Sequence, residues 1–135
     1  MRNVLTVRPS CVLLVEDDPD LGEAMTATLR NQGHRVITAR HGADALDQLR
    51  EGELPTVVVL DLMMPVMDGI QFLQVARADE RLRSLPVVVI TSSEQELPFG
   101  AQAIVRKPAD MDVLLTMVGE HCAHAGARGR AYPQT

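Results

Sequence analysis

The chain is poor in aromatic rings: its 135 residues include no tryptophan, one tyrosine (Tyr132) and two phenylalanines (Phe72 and Phe99). A platform for stacking nucleic-acid bases cannot be assembled from three scattered rings. Positive charge is also short. Thirteen Lys and Arg stand against eighteen Asp and Glu, a formal net charge of −5, which argues against a general nucleic-acid binder. Cysteine is limited to Cys11 and Cys122; two residues make no disulfide framework and read as buried free thiols. Apolar runs such as Val57–Leu60 and Pro86–Ile90 are far too short to cross a bilayer. No long apolar segment or small-residue cleavage site follows the amino terminus, so a secretory signal is rejected and a cytoplasmic location expected. Lysine is nearly missing: twelve of the thirteen basic residues are arginines and the exception is Lys107. Chance would also place one lysine somewhere, but a site needing a compact ammonium on a flexible stem would account for it.

What is present is an ordinary globular composition, 46% apolar and 23% charged, in a chain long enough to bury roughly two thirds of its unfolded surface as one domain. Residues 1–10 read as a leader, 11–121 as the folded unit and 122–135 as a polar, flexible tail. Cys11–Val15 is apolar on both faces, as a buried parallel strand is, and stops abruptly at Glu16-Asp17-Asp18. Asp18 followed by Pro19 reads as a helix cap, Leu21, Met25 and Leu29 repeat at helical spacing, and Asn31-Gln32-Gly33 closes the helix. Strands are expected at Arg35–Ala39, Thr56–Leu60, Leu85–Ile90 and Ala101–Arg106. Helices are expected over Gly42–Arg50 (Ala45, Leu46 and Leu49 inward), Asp68–Ala78 (Ile70, Leu73 and Ala76 inward) and Asp110–His121 (Met111, Leu114, Leu115 and Val118 inward). Alternating strand and helix implies a parallel sheet covered on both faces, with ligands outside the carboxyl ends of its strands.

Those ends carry the chemistry. The first strand ends at Glu16 and Asp17, the third at Asp61, the fourth at Thr91 and the fifth at Lys107. Carboxylates brought together repel, and a hard divalent cation reverses that cost; an oxygen-only set suits Mg²⁺, and the absence of His and Cys from it argues against zinc. A hydroxyl and an ammonium close by suggest an anion as the second ligand. Together these are the parts of a phosphoryl-transfer site in which a carboxylate can itself be the nucleophile.

At Leu14-Val15-Glu16-Asp17-Asp18, Leu60 through Gly69, Ile90-Thr91-Ser92 and Arg106-Lys107-Pro108, the chain resembles the receiver domain of two-component response regulators. The resemblance covers roughly residues 11–121 and implies a doubly wound α/β fold, a five-stranded parallel sheet in order 2-1-3-4-5. It also implies that Asp61 accepts a phosphoryl group from a sensor histidine kinase or a histidine phosphotransfer protein. Asp17 would bind Mg²⁺ directly, Glu16 would help through water, and the Met63 carbonyl would add a metal oxygen. Thr91 and Lys107 would each hold a phosphoryl oxygen. Lys107-Pro108 is similar to the family's cis-prolyl bond, and the small Ser92 would leave room for the phosphoryl group. The output would be altered binding to a downstream protein, with no nucleic acid and no membrane involved.

Two departures bear on output. The family's aromatic on strand five, three residues before the lysine, is here Ile104. Fifteen residues separate Thr91 from Lys107, including Pro98 and Gly100, so the family's fourth helix is expected to be short or absent, and output through other surfaces is expected. No output module is expected after the folded unit, which fits a stand-alone receiver or a piece of a larger hybrid kinase. Two other functions compete. One is a receiver-like binding module indifferent to phosphate, favoured by Ile104. The other is a haloacid-dehalogenase-like phosphatase, which wants an acid two residues after its nucleophile, where this chain has Met63. Turnover on an outside substrate is therefore not expected. Single features have plainer readings. Asp68-Gly69 starts a helix; Met63, Met64 and Met67 pack a loop; His34 and His41 are solvated beside turns; His121, Cys122 and His124 lack partners for zinc.

Overall fold

The computed structural model describes residues 10–64, 67–91, 98, 100–106 and 111–131, with 106 and 123–131 described by backbone alone. The expected strands all form: β1 (Cys11–Val15), β2 (Arg35–Ala39), β3 (Val57–Asp61), β4 (Val87–Thr91) and β5 (Ala103–Arg106). The helices are α1 (Pro19–Asn31), α2 (Gly42–Glu51), α3 (Gly69–Ala78) and α4 (Met111–Ala131). All pairings are parallel and the sheet order is β2-β1-β3-β4-β5. No helix lies between β4 and β5 among the described residues, which do not include 92–97 or 99.

Each interior strand is buried on both faces, so its valines and leucines divide between two cores. Leu13, Val15, Val58 and Leu60 meet Leu46 and Leu49 of α2 and Phe72 and Leu73 of α3. Val12, Leu14, Val57 and Val59 meet Met25 and Leu29 of α1 and Leu114 and Val118 of α4. Pairing of β1 with both β2 and β3 makes the β1–β3 gap the point where strand order reverses, the usual place for a ligand crevice.

Three expectations are corrected. On α3 the inward residues are Gly69, Phe72, Leu73 and Ala76, while Ile70 is exposed. A 3.6-residue period accommodates either stripe, and the depth at which Gly69 enters decides between them. The last helix does not end at His121 but runs to Ala131, through a stretch rich in alanine and arginine that holds no proline before Pro133. His34 and His41 are not simply solvated: His41 Nδ1 accepts the Asp44 N–H and caps α2, and His34 Nδ1 lies 2.5 Å from Ser10 Oγ.

Candidate functional site

The site forms because three apolar strands end at the same level. Val15 of β1 pairs with Leu60 of β3, and Asp61 pairs with Ile90, one residue before Thr91 of β4. Glu16 and Asp61 are buried, Thr91 is fully buried and Asp17 is exposed. One carboxylate oxygen from each of Glu16, Asp17 and Asp61 lies within 4.8 Å of the others. Thr91 pairs with Arg106, the residue before Lys107; Lys107, Pro108, Ser92 and Ser93 lie outside the described residues.

Local hydrogen bonds aim the acids. The Asp18 N–H donates to Glu16 Oε2 at 3.1 Å, turning that side chain into the crevice. Asp18 itself accepts from the Asp20 and Leu21 N–H groups as the cap of α1, which separates its role from that of Asp17. The Met63 N–H donates to Asp61 Oδ1 at 3.1 Å, an Asx turn that fixes the carboxylate and brings the Met63 backbone beside it. The Met63 side chain is 63% exposed, whereas Met64 is buried and Met67 is packed against the core.

The glycines escaped the sequence reading. Gly69 donates its N–H to the Leu62 carbonyl, and a Cβ there would fall 2.7 Å from Leu62 Cδ2 and 2.9 Å from the Asp61 carbonyl oxygen. Gly42 packs equally close to Met67. The Asp68-Gly69 pair is the one available signal, and in sequence it indicates a helix start; Asp68 does cap α3, in a capping box with Gln71.

The donor set fits Mg²⁺. It consists of oxygen atoms from three acids, two of them buried, at a separation a single hard cation can bridge. The remaining titratable features lie at the opposite end of the strands. Burial pushes the Cys11 and Cys122 thiols up, and burial pushes the His34 imidazole below its ordinary value. Both cysteines are free, as expected, but half-buried rather than buried. Among the described residues no other cluster of three His, Cys, Asp or Glu could hold a metal.

A doubly wound parallel sheet with an acidic crevice at its switch point and a buried threonine beside the acids defines the receiver architecture. Residues 12–119 match the response regulator receiver domain, and the chain belongs to that family of phosphorylation-controlled signalling domains. It is 39% identical over 117 residues to response regulator Rre1 of Synechocystis, covering 82% of this chain and 50% of that protein. It is 32% identical over 113 residues to protein PilH of Pseudomonas aeruginosa, covering 79% and 93%. The chain thus spans about half of the first relative and nearly all of the second. A solved putative response regulator from Chloroflexus aurantiacus superposes with a TM-score of 0.78 at 26% identity, over 86% of this chain and 99% of the other. The phosphorylated cyanobacterial phytochrome response regulator RcpA superposes with 0.70 at 28% identity, over 82% and 89%.

Proposed function

We propose that the chain is a switch in which Asp61 takes a phosphoryl group from the phosphohistidine of a sensor kinase or phosphotransfer protein. The observation that carries this is the convergence of Glu16, Asp17 and Asp61 beside Thr91. An Asp61 carboxylate oxygen attacks phosphorus as the bond to the imidazole nitrogen breaks, and the departing imidazole takes up a proton. The Asx turn from Met63 holds Asp61 in one orientation, so little reorganisation accompanies attack. Glu16, Asp17, Asp61 and the Met63 carbonyl would hold Mg²⁺, which supplies neutralisation of charge on the phosphoryl oxygens. The Thr91 hydroxyl would bond one phosphoryl oxygen and the Lys107 ammonium another. RcpA, solved in a phosphorylated state, supports the same chemistry here. A downstream protein then distinguishes the two states; the setting is cytoplasmic, and no helix among the described residues is long and apolar enough to cross a membrane. The chain catalyses its own phosphorylation and dephosphorylation and turns over no outside substrate.

With Mg²⁺ and a small acyl phosphate, the intact mass rises by one phosphoryl group in the wild type and not in Asp61→Asn. Equal labelling of the two overturns the assignment. A second reading, a binding module indifferent to phosphate, draws on Ile104, which packs partly buried against the core where the family has an aromatic. Equal partner affinity with and without a phosphoryl mimic would favour it.

A further inference from the structure

Strand β2 brings no side chain to the acidic cluster of Glu16, Asp17 and Asp61, yet its end touches both halves of the site through the backbone. On one side the Glu16 N–H donates to the Ala39 carbonyl at 3.0 Å. On the other the Gly42 N–H donates to the Met67 carbonyl at 3.1 Å, and Met67 lies at the end of the loop that leaves Asp61 and carries Met63. Gly42 is buried, and a Cβ there would lie 2.8 Å from Met67 Cγ, 2.9 Å from Met67 Sδ and 3.0 Å from the Met67 carbonyl oxygen. Only a residue without a side chain lets α2 begin this close to the loop. The junction is braced on its own account: the Asp44 N–H donates to His41 Nδ1 and the Arg40 N–H donates to Asp44 Oδ2, both at 3.1 Å.

We propose that the β2–α2 junction, from Ala39 to Gly42, is a positioning bracket for the phosphoryl-transfer site. It sets the separation between the strand end that carries Glu16 and the loop that follows Asp61. This rests on the reading of the preceding subsection. Mg²⁺ demands near-ideal octahedral geometry at about 2.1 Å, so a loop displaced by a fraction of an ångström loses ligands. Groups that orient metal ligands without touching the metal are worth roughly 10–100-fold in affinity.

The test uses the full chain. Gly42→Ala is expected to bind Mg²⁺ about tenfold or more weakly by calorimetry, with far-UV circular dichroism unchanged, and to label correspondingly slowly with acyl phosphate. Adding Met67→Ala removes two of the three atoms a new Cβ would meet and should recover much of the loss. A folded Gly42→Ala that binds Mg²⁺ like the wild type overturns the bracket alone. Should Gly42→Ala fail to fold, amide exchange in the wild type decides. Mg²⁺ should slow exchange at Gly42 and Glu16 more than at Arg35, whose N–H bonds Ser10 at the far end of β1 and β2. Equal change at all three overturns the proposal. A wild type that takes up neither Mg²⁺ nor phosphoryl group overturns the parent reading and the bracket with it.

Discussion

At the scale of single residues, the chain separates groups chosen for what they carry from groups chosen for what they lack. Asp61 and Asp17 belong to the first kind, and they stand out in the sequence because an apolar strand that stops in acid is a local pattern. Gly69 and Gly42 belong to the second kind, and apart from the Asp68-Gly69 pair nothing local announces them: the atoms that forbid a Cβ come from another segment in each case, Leu62 and Met67. Gly33 supplies the contrast. It has φ +94° and no atom within 4 Å of a Cβ position. Gly33→Ala should therefore cost only the left-handed backbone penalty, about 1–2 kcal/mol. Gly69→Ala forces Leu62 and the Asp61 carbonyl to move, about 1–3 kcal/mol by the usual cost of overpacking, and should also slow labelling of Asp61. Urea denaturation gives the first quantity and intact mass the second; a Gly69→Ala that labels at the wild-type rate refutes the coupling. Arg77 is the other residue whose role comes from the fold. Its guanidinium donates to the carbonyls of Leu82, Arg83, Leu85 and Gly100, and burial lowers its pKa. Lysine cannot span this fan of acceptors. Arg77→Lys should lose about 2 kcal/mol in the same assay, and a loss within error of zero would show the fan to be ornamental.

Elements were legible where a pattern was local and ambiguous where two patterns shared residues. The cap at Asp18 and the helix start at Asp68-Gly69 depend on a few adjacent residues, and the structure keeps both, whereas β4 begins at Val87 and β5 at Ala103, later than the apolar runs from Leu85 and Ala101 suggest. The buried stripe of α3 shares Leu73 and Ala76 with the alternative through Ile70, so sequence could not choose. The end expected at His121 falls short because alanine and arginine keep the polar stretch as far as Ala131 helical. Contacts between elements were not legible at all. His34, in the turn after α1, meets Ser10 before β1 and lies 3.9 Å from Cys122 Sγ on α4. Burial holds the His34 imidazole below its ordinary pKa. A depressed folded pKa contributes stability that is present above the unfolded value and is lost as pH falls through the folded one. The melting temperature should thus begin to fall below about pH 6.5, and His34→Asn should flatten that fall. An identical pH profile in the variant would remove His34 as its source. The free edge of β2 is guarded in a similarly long-range way: Arg30 of α1 donates to the Val36 carbonyl and Gln48 of α2 to the Thr38 carbonyl. An edge with capped carbonyls resists pairing with another strand.

At the scale of the whole molecule, the two cores and the acidic rim belong to one arrangement. Two cores, one on each face of the sheet, hold β1 and β3 in register, and that register brings the strand ends that carry the three carboxylates to one rim. A divalent cation held by these three carboxylates would bind the folded state alone, so on the proposed reading occupancy and stability are linked. A ligand that binds the folded state alone stabilises it by about 2.7 kcal/mol at a hundred times its dissociation constant. Mg²⁺ should raise the unfolding midpoint of the wild type, and monovalent salt at matched ionic strength should do so far less, because screening does not replace coordination. Asp17→Asn should lose most of the Mg²⁺-dependent rise yet melt no lower than the wild type in chelator, since it removes one of three repelling charges while leaving both cores intact. The opposite pattern, a variant weaker in chelator that still responds to Mg²⁺, would place the cation elsewhere and detach the acidic rim from the stability of the fold.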